Sequence, residues 1–259
     1  MKTKITGTTL PVLEIGLEAG DKIVAEPGEF SWMTDNVQLN TTAMTAGAKG
    51  IWGVLGRAVS GGGIFMTEYT AAGGSGLIAF AAKVPGQIMQ VDVAPGREYM
   101  IHRHGFLCAT EGVNLSIGFQ RGLGAGIFGG NGFILQKLAG QCTAFVELGG
   151  EIVTYDLAAG ESIQVHPGHI GMFESTVNFD VVFMKGVMNA LFGGDGLFIG
   201  RLTGPGKVWL QTLTMPNLAH ALIPYLGQQE QQTAAQSGIA GGIAGGVAGS
   251  VLRGIFGGD

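Results

Sequence analysis

The sequence predicts an all-β protein built from three related units. Three observations carry that reading. The windows Gly20-DKIVAEPGEFSWMT, Gly96-REYMIHRHGFLCAT and Gly160-ESIQVHPGHIGMFE share one pattern: a glycine after Ala or Pro, a short strand, a polar turn and a second apolar strand. A second pattern of strand, glycine-containing turn and strand recurs at Gly62-GIFMTEYTAAGGSGLIAF, Gly132-FILQKLAGQCTAFVEL and Gly196-LFIGRLTGPGKVWLQTL, which places Phe65, Phe133 and Phe198 in corresponding positions. Glycine, at 48 of 259 residues, supplies the positive φ that tight turns demand, while 46% hydrophobic residues is too many for a chain that stays unfolded. Repeats of this kind decide the architecture before any single motif is weighed.

Taken in order, Val12 to Ile15, Ile78 to Ala82, Ile88 to Val93, Ile152 to Leu157 and Val208 to Leu213 are short runs with period two or continuous apolarity, punctuated by Gly, Pro and Asn. Without amphipathic helices between them they argue for a barrel or sandwich rather than an α/β fold. A short helix is expected at Asn217 to Leu226. The β-rich domain thus spans residues 1–227, and residues 228–259 form a polar linker and a glycine-rich tail.

Before each Phe-containing strand lies a glycine-rich apolar segment. The three hold Lys49, Trp52, Leu55 and Arg57; Arg121 and Phe128; and Lys185 and Phe192. An aromatic anchor beside a basic residue suits a membrane interface or a protein partner. In the tail, Gly238, Gly242 and Gly246 form one helical row and Gly241, Gly245 and Gly249 another, which lets a second helix approach closely. As a helix, Ile239 to Leu252 would be about 21 Å long, short of the roughly 30 Å hydrocarbon core. Shallow insertion or helix association fits that length better than a span.

The AGD, PGR and AGE turns, the PGE and HPGH turns and the GIF, GFI and GLF strands resemble the mitochondrial-biogenesis family, the altered inheritance of mitochondria protein twenty-four-like proteins. The resemblance covers roughly residues 1–227. It implies a fold like that of the tryptophan RNA-binding attenuation protein, a short variant of the double-stranded β-helix, with three units about a pseudo-threefold axis and further association of chains. It supplies no catalytic residues and no cofactor.

The motif nearest to an active site is His102-Arg103-His104, with Glu111 downstream. Imidazoles at i and i+2 on a strand share a face, and a neighbouring carboxylate can complete a cupin-like metal site. The repeats weigh against it, because His102 matches His166 and Glu26, His104 matches Gly168 and Gly28, and His169 matches Gly105 and Glu29. No constant ligand set survives, so the residues read as turn formers and no metal is expected. Cys108 and Cys142 lie in apolar strands and read as free thiols in a reducing compartment. A net charge of −5 gives no pull toward nucleic acid.

The expectation is therefore a non-enzymatic, self-associating protein, a homo-oligomer and in particular a trimer. It is expected in the cytoplasm, peripheral to a membrane, without a cofactor. With only 13% charged residues, an isolated copy would expose more apolar surface than soluble monomers usually do.

Overall fold

Turn chemistry sets the frame. Gly20, Gly96 and Gly160 have φ of 94°, 81° and 81°, a left-handed conformation that costs any residue with a Cβ. Each closes a tight turn in which a backbone N–H bonds three residues back: Asp21 to Glu18, Arg97 to Ala94 and Glu161 to Ala158. The structure, a computed structural model, describes residues 1–44, 64–121, 133–183, 198–215, 217–219 and 221–222. The chain divides into a body, Met1–Thr214, and a second unit, Met215–Asp259. In the second unit the described residues are helical, beginning at Met215. The expected boundary at residue 227 and the tail glycines Gly238, Gly241, Gly242, Gly245, Gly246 and Gly249 lie outside the described residues.

The body is all-β and antiparallel. The strands are β1 (Lys2–Thr6), β2 (Val12–Leu17), β3 (Lys22–Ala25), β4 (Trp32–Met33), β5 (Val37–Met44), β6 (Ile64–Ala71) and β7 (Gly76–Ala81). There follow β8 (Gly86–Val93), β9 (Tyr99–His102), β10 (Phe106–Thr110), β11 (Val113–Arg121), β12 (Phe133–Gly140) and β13 (Cys142–Gly149). The last are β14 (Ile152–Leu157), β15 (Ser162–Val165), β16 (Ile170–Glu174), β17 (Asn178–Phe183), β18 (Phe198–Thr203) and β19 (Gly206–Gln211).

Strand pairing recurs along the chain. The order β5-β6-β3 reappears as β11-β12-β9 and as β17-β18-β15, and β2-β7-β4 reappears as β8-β13-β10 and β14-β19-β16. Two links join these sets: β3 pairs β10, and β9 pairs β16. They create two six-stranded sheets, each half from one set and half from the next. The four-stranded sheet β1-β2-β7-β4 and the three-stranded sheet β15-β18-β17 lie at the two ends of the series. A closed arrangement about an axis within one chain needs a third link, β15 to β4, and the described residues make none.

Each six-stranded sheet is a wall with a core on either face, because side chains alternate along a strand. In the first wall Ile23, Ala25, Tyr69, Leu107 and Phe145 enter the first core. Val24, Met66, Phe106, Ala109 and Val146 enter the second. The second wall likewise gives Ile101, Leu138 and Met172 to the second core and Leu135, Ile170, Phe173 and Val208 to the third. Buried on both faces, the inner strands β3, β10, β13 and β16 read as continuous apolar runs rather than as alternation. Leu107, Cys108 and Ala109 are each fully buried for that reason.

One detail of the repeat differs from the sequence alignment. Gln38 pairs Thr70, Asn114 pairs Ala139 and Asn178 pairs Thr203. Counted back from those pairs, Phe65 and Phe198 correspond, but Phe133 stands one place out and matches Ile64. Apolar residues are frequent enough here for an alignment to slip by one, and register is set by the hydrogen-bonded pairs.

Replacing Gly20, Gly96 or Gly160 by alanine tests the turn argument. Nothing lies within 4 Å of a Cβ built at any of the three, so the cost is backbone strain alone. Each variant is expected to lose about 1–2 kcal/mol in urea unfolding, with similar values at all three sites; no loss would show that the turns tolerate another conformation.

Candidate functional site

The polar residues of the body gather where the first two units meet. Three segments converge there: the turn after β3 with Glu26 and Glu29, the end of β9 with His102 and the turn after it with His104, and Lys83 in the connection after β7. Glu147 from β13 and Gln136 from β12 complete the group. Lys83 Nζ sits 2.7 Å from Glu29 Oε2. Glu147 is 4% exposed. Its Oε1 accepts hydrogen bonds from the backbone N–H groups of Lys83 at 2.7 Å and Val84 at 3.3 Å. Gln136 donates from Nε2 to Glu26 Oε1 at 2.7 Å. Burial is the main cause that raises the carboxyl pKa of both Glu26 and Glu147.

His102 is held by its backbone neighbours. Its Nε2 lies 3.1 Å from the carbonyl oxygen of Glu147. A carbonyl only accepts, so Nε2 carries the proton. Burial pushes the imidazole pKa down to about 4. Gly105 is what lets the ring fit, since a Cβ there would come within 2.9 Å of His102 Cδ2. The third unit repeats the bond with a different residue: His169 Nδ1 lies 2.8 Å from the carbonyl oxygen of Gln211. Gln211 stands on β19 where Glu147 stands on β13, and its Oε1 accepts from Gly149 N–H at 3.0 Å. Glu147 therefore ties the strand connection Lys83–Val84 to its wall, and Gln211 ties the end of β13 at Gly149. Neither was legible as a site residue, because an isolated Glu or Gln in an apolar run carries no motif.

The alternative metal site is not assembled. His102 ends β9, and His104 lies in the turn that follows, so the two imidazoles are not i and i+2 on one strand. Glu111 lies beyond the far end of β10, about 17 Å along a five-residue strand, and pairs instead with Lys22 at 3.5 Å. Among the described residues no group of three His, Cys, Asp or Glu is placed to hold a metal ion. Cys108 and Cys142 are free thiols. Burial raises the pKa of both, that of Cys142 to about 11, which disfavours the nucleophilic thiolate.

Of the residues expected to dock on a surface, Lys49, Trp52, Leu55, Arg57, Phe128, Lys185 and Phe192 lie outside the described residues. Arg121 ends β11, where its backbone pairs with Phe133.

The arrangement defines a class: an all-β, antiparallel body whose consecutive units share walls and join through buried polar turns. The profile of the mitochondrial biogenesis AIM24 family matches residues 3–213, and the chain belongs to that family. It is 27% identical over 220 residues to an uncharacterised protein of Streptococcus pyogenes serotype M6, covering 83% of this chain and 87% of that one. A crystal structure of a protein from Streptococcus pyogenes superposes with a TM-score of 0.68 at 24% identity, covering 86% of this chain and 99% of that one. At that identity the likeness concerns the fold.

The buried imidazole makes stability depend on pH with a defined sign. The folded pKa of His102 lies below its ordinary 6.5, so the fold favours the neutral ring. Its contribution is complete above pH 6.5 and is lost as pH falls toward 4, up to about 3 kcal/mol. Glu26 and Glu147, with raised pKa values, act in the opposite sense. The test is therefore a difference: His102→Gln should flatten the loss between pH 6.5 and 4 relative to the parent protein, read by urea unfolding at each pH. Parallel pH profiles for the two proteins would contradict it.

Proposed function

We propose that this protein is a non-enzymatic, self-associating scaffold that docks on a membrane surface or a membrane-bound protein. Its docking elements are three glycine-rich loops and the tail 228–259. The observation that carries this reading is where the loops open. Residues 45–63, 122–132 and 184–197 each leave from the end of the same hairpin in the three strand sets. The last pairs before them are Met44–Ile64, Arg121–Phe133 and Phe183–Phe198. Loops that leave equivalent hairpins can act together, and several copies in one oligomer multiply weak contacts.

The finer fold reading belongs here as well. Sheets built from strands of consecutive units support short double-stranded β-helix units of the tryptophan RNA-binding attenuation protein kind. The reading includes a homo-oligomer, specifically a trimer, and the low charge and the free edges of β4 and β15 support association of chains. The two free thiols fit a cytoplasmic location, peripheral to the membrane. No helix among the described residues is long and apolar enough to cross a membrane, so in this reading contact is made by loops and tail.

Replacing Trp52, Phe128 and Phe192 together with serine separates lipid docking from subunit contact. In co-sedimentation with anionic liposomes, the parent protein is expected to bind and the triple variant to lose at least tenfold in affinity while keeping its oligomeric mass. An oligomer that falls apart in the variant would make the loops subunit contacts instead. A parent protein that binds no liposome of any composition would end the membrane reading.

A further inference from the structure

Each wall lends side chains to the core of the unit before it. On β10 and β13 the cross-strand pair Cys108–Phe145 is buried in the first core. On β16 and β19 the matching pair is Met172–Trp209, and both enter the second core. The first unit has the same pair, Trp32–Ala79 on β4 and β7; Ala79 is fully buried, but no preceding unit receives Trp32. Met33, the next residue, packs on the unit's own core, as its counterparts Ala109 and Phe173 do. Trp32 therefore points away from the first core, and it is 46% exposed. A large aromatic side chain left in water at a position that is buried in both sister units is the signature of a missing neighbour.

The other end of the series lacks the complementary piece. Leu13 and Ile15 on β2 are fully buried in the first core, which the second unit closes with Leu107, Cys108 and Phe145. Met89 and Val91 on β8 hold the same places and lie in the second core, which the third unit closes with Met172 and Trp209. Val153 and Tyr155 on β14 hold those places in the third unit, on the same face as the buried Leu157. Each is 43% exposed. The strand edges agree. β3 and β9 each pair on both sides, whereas β15 has β18 alone and β4 has β7 alone. Among the described residues β15 and β4 do not pair.

We infer that this chain binds a second copy of itself head to tail: β4 of one copy adds to the free edge of β15 in the next, and Trp32 closes the third core over Val153 and Tyr155. The internal links fix the register. Ala109 pairs Val24 and Thr110 pairs Ile23; Phe173 pairs Met100 and Glu174 pairs Tyr99. The same alignment sets Met33 opposite Gln164 and Thr34 opposite Ile163. The occupant is a copy of this chain because the first unit carries the same strand pair that plugs the two internal cores. The contact is heterologous, so it closes into a ring or continues as a filament, and it does not form a twofold dimer. The inference rests on the self-association proposed above and names its surface.

The test uses full-length protein and light scattering coupled to gel filtration. Trp32→Glu removes the plug, and Tyr155→Glu charges its seat. Each variant alone is expected to run as a monomer with the parent's circular dichroism spectrum. Mixed in equal amounts they are expected to give one new species with the mass of two chains, because one intact end remains on each partner. That complex also reports that both variants are folded. A Trp32→Phe variant should keep the parent mass. If the parent is oligomeric and either charged variant keeps its mass, or the mixture stays monomeric, this junction is wrong while self-association stands. A parent that is monomeric across micromolar concentrations overturns both.

Discussion

The pairing of β3 with β10 and of β9 with β16 is the constraint on which the body depends. Each link is only two or three residue pairs long. Yet it converts two half-sheets into one wall, and a wall has two faces to bury. A sheet of three strands has a solvated face, whereas the inner strands of a six-stranded wall between two cores are covered on both faces. The apolar side chains of the linking strands, such as Ile23, Ile101, Phe106 and Phe173, are then buried, roughly 1.5–3 kcal/mol for a fully buried Leu, Ile or Phe. Three small units that would be marginal alone become one body in this way, as in other arrays whose units stabilise each other through neighbour contacts.

Shared walls also explain the chemistry at the joints. A turn that emerges between two cores carries backbone groups away from water, and these need partners. Glu147 answers the N–H groups of the strand connection Lys83–Val84 and Gln211 that of Gly149, and His102 and His169 answer the carbonyls of Glu147 and Gln211. The polar clusters are thus structural fastenings. The His102 imidazole and the Glu147 carboxyl have displaced pKa values because they are buried to do this, and a displaced pKa alone does not make a catalytic site. The repeat conserves the bond and changes its donor: β9 ends in the imidazole used in the second unit, while the third uses a residue three places further along the chain.

Much of this was legible in the sequence. The turn glycines and the alternation of β2 follow from local rules; the positive φ of Gly20, Gly96 and Gly160 bears out the turns, and β2 buries every second residue. The one-place slip between Phe133 and Phe65 was not legible, because an alignment of apolar residues cannot see which backbone groups bond. The cupin-like spacing has a similar limit: His102, His104 and Glu111 are near in sequence, but a turn and a whole strand separate them in space. Glu147 and Gln136 stayed hidden because buried polar residues acquire their meaning from what surrounds them.

What the sequence determined by itself is the β class and the turns, since these depend on glycine conformation and on side-chain period within a few residues. What only the tertiary structure decided is which sheet each strand joins and which core each residue enters. Cys108, Met172 and Trp32 hold one position in three units, and local rules treat them alike. Two are buried because a neighbouring unit is there to receive them, and Trp32 is exposed because none is. That difference arises from contacts between strands far apart in the chain, and no local pattern encodes it.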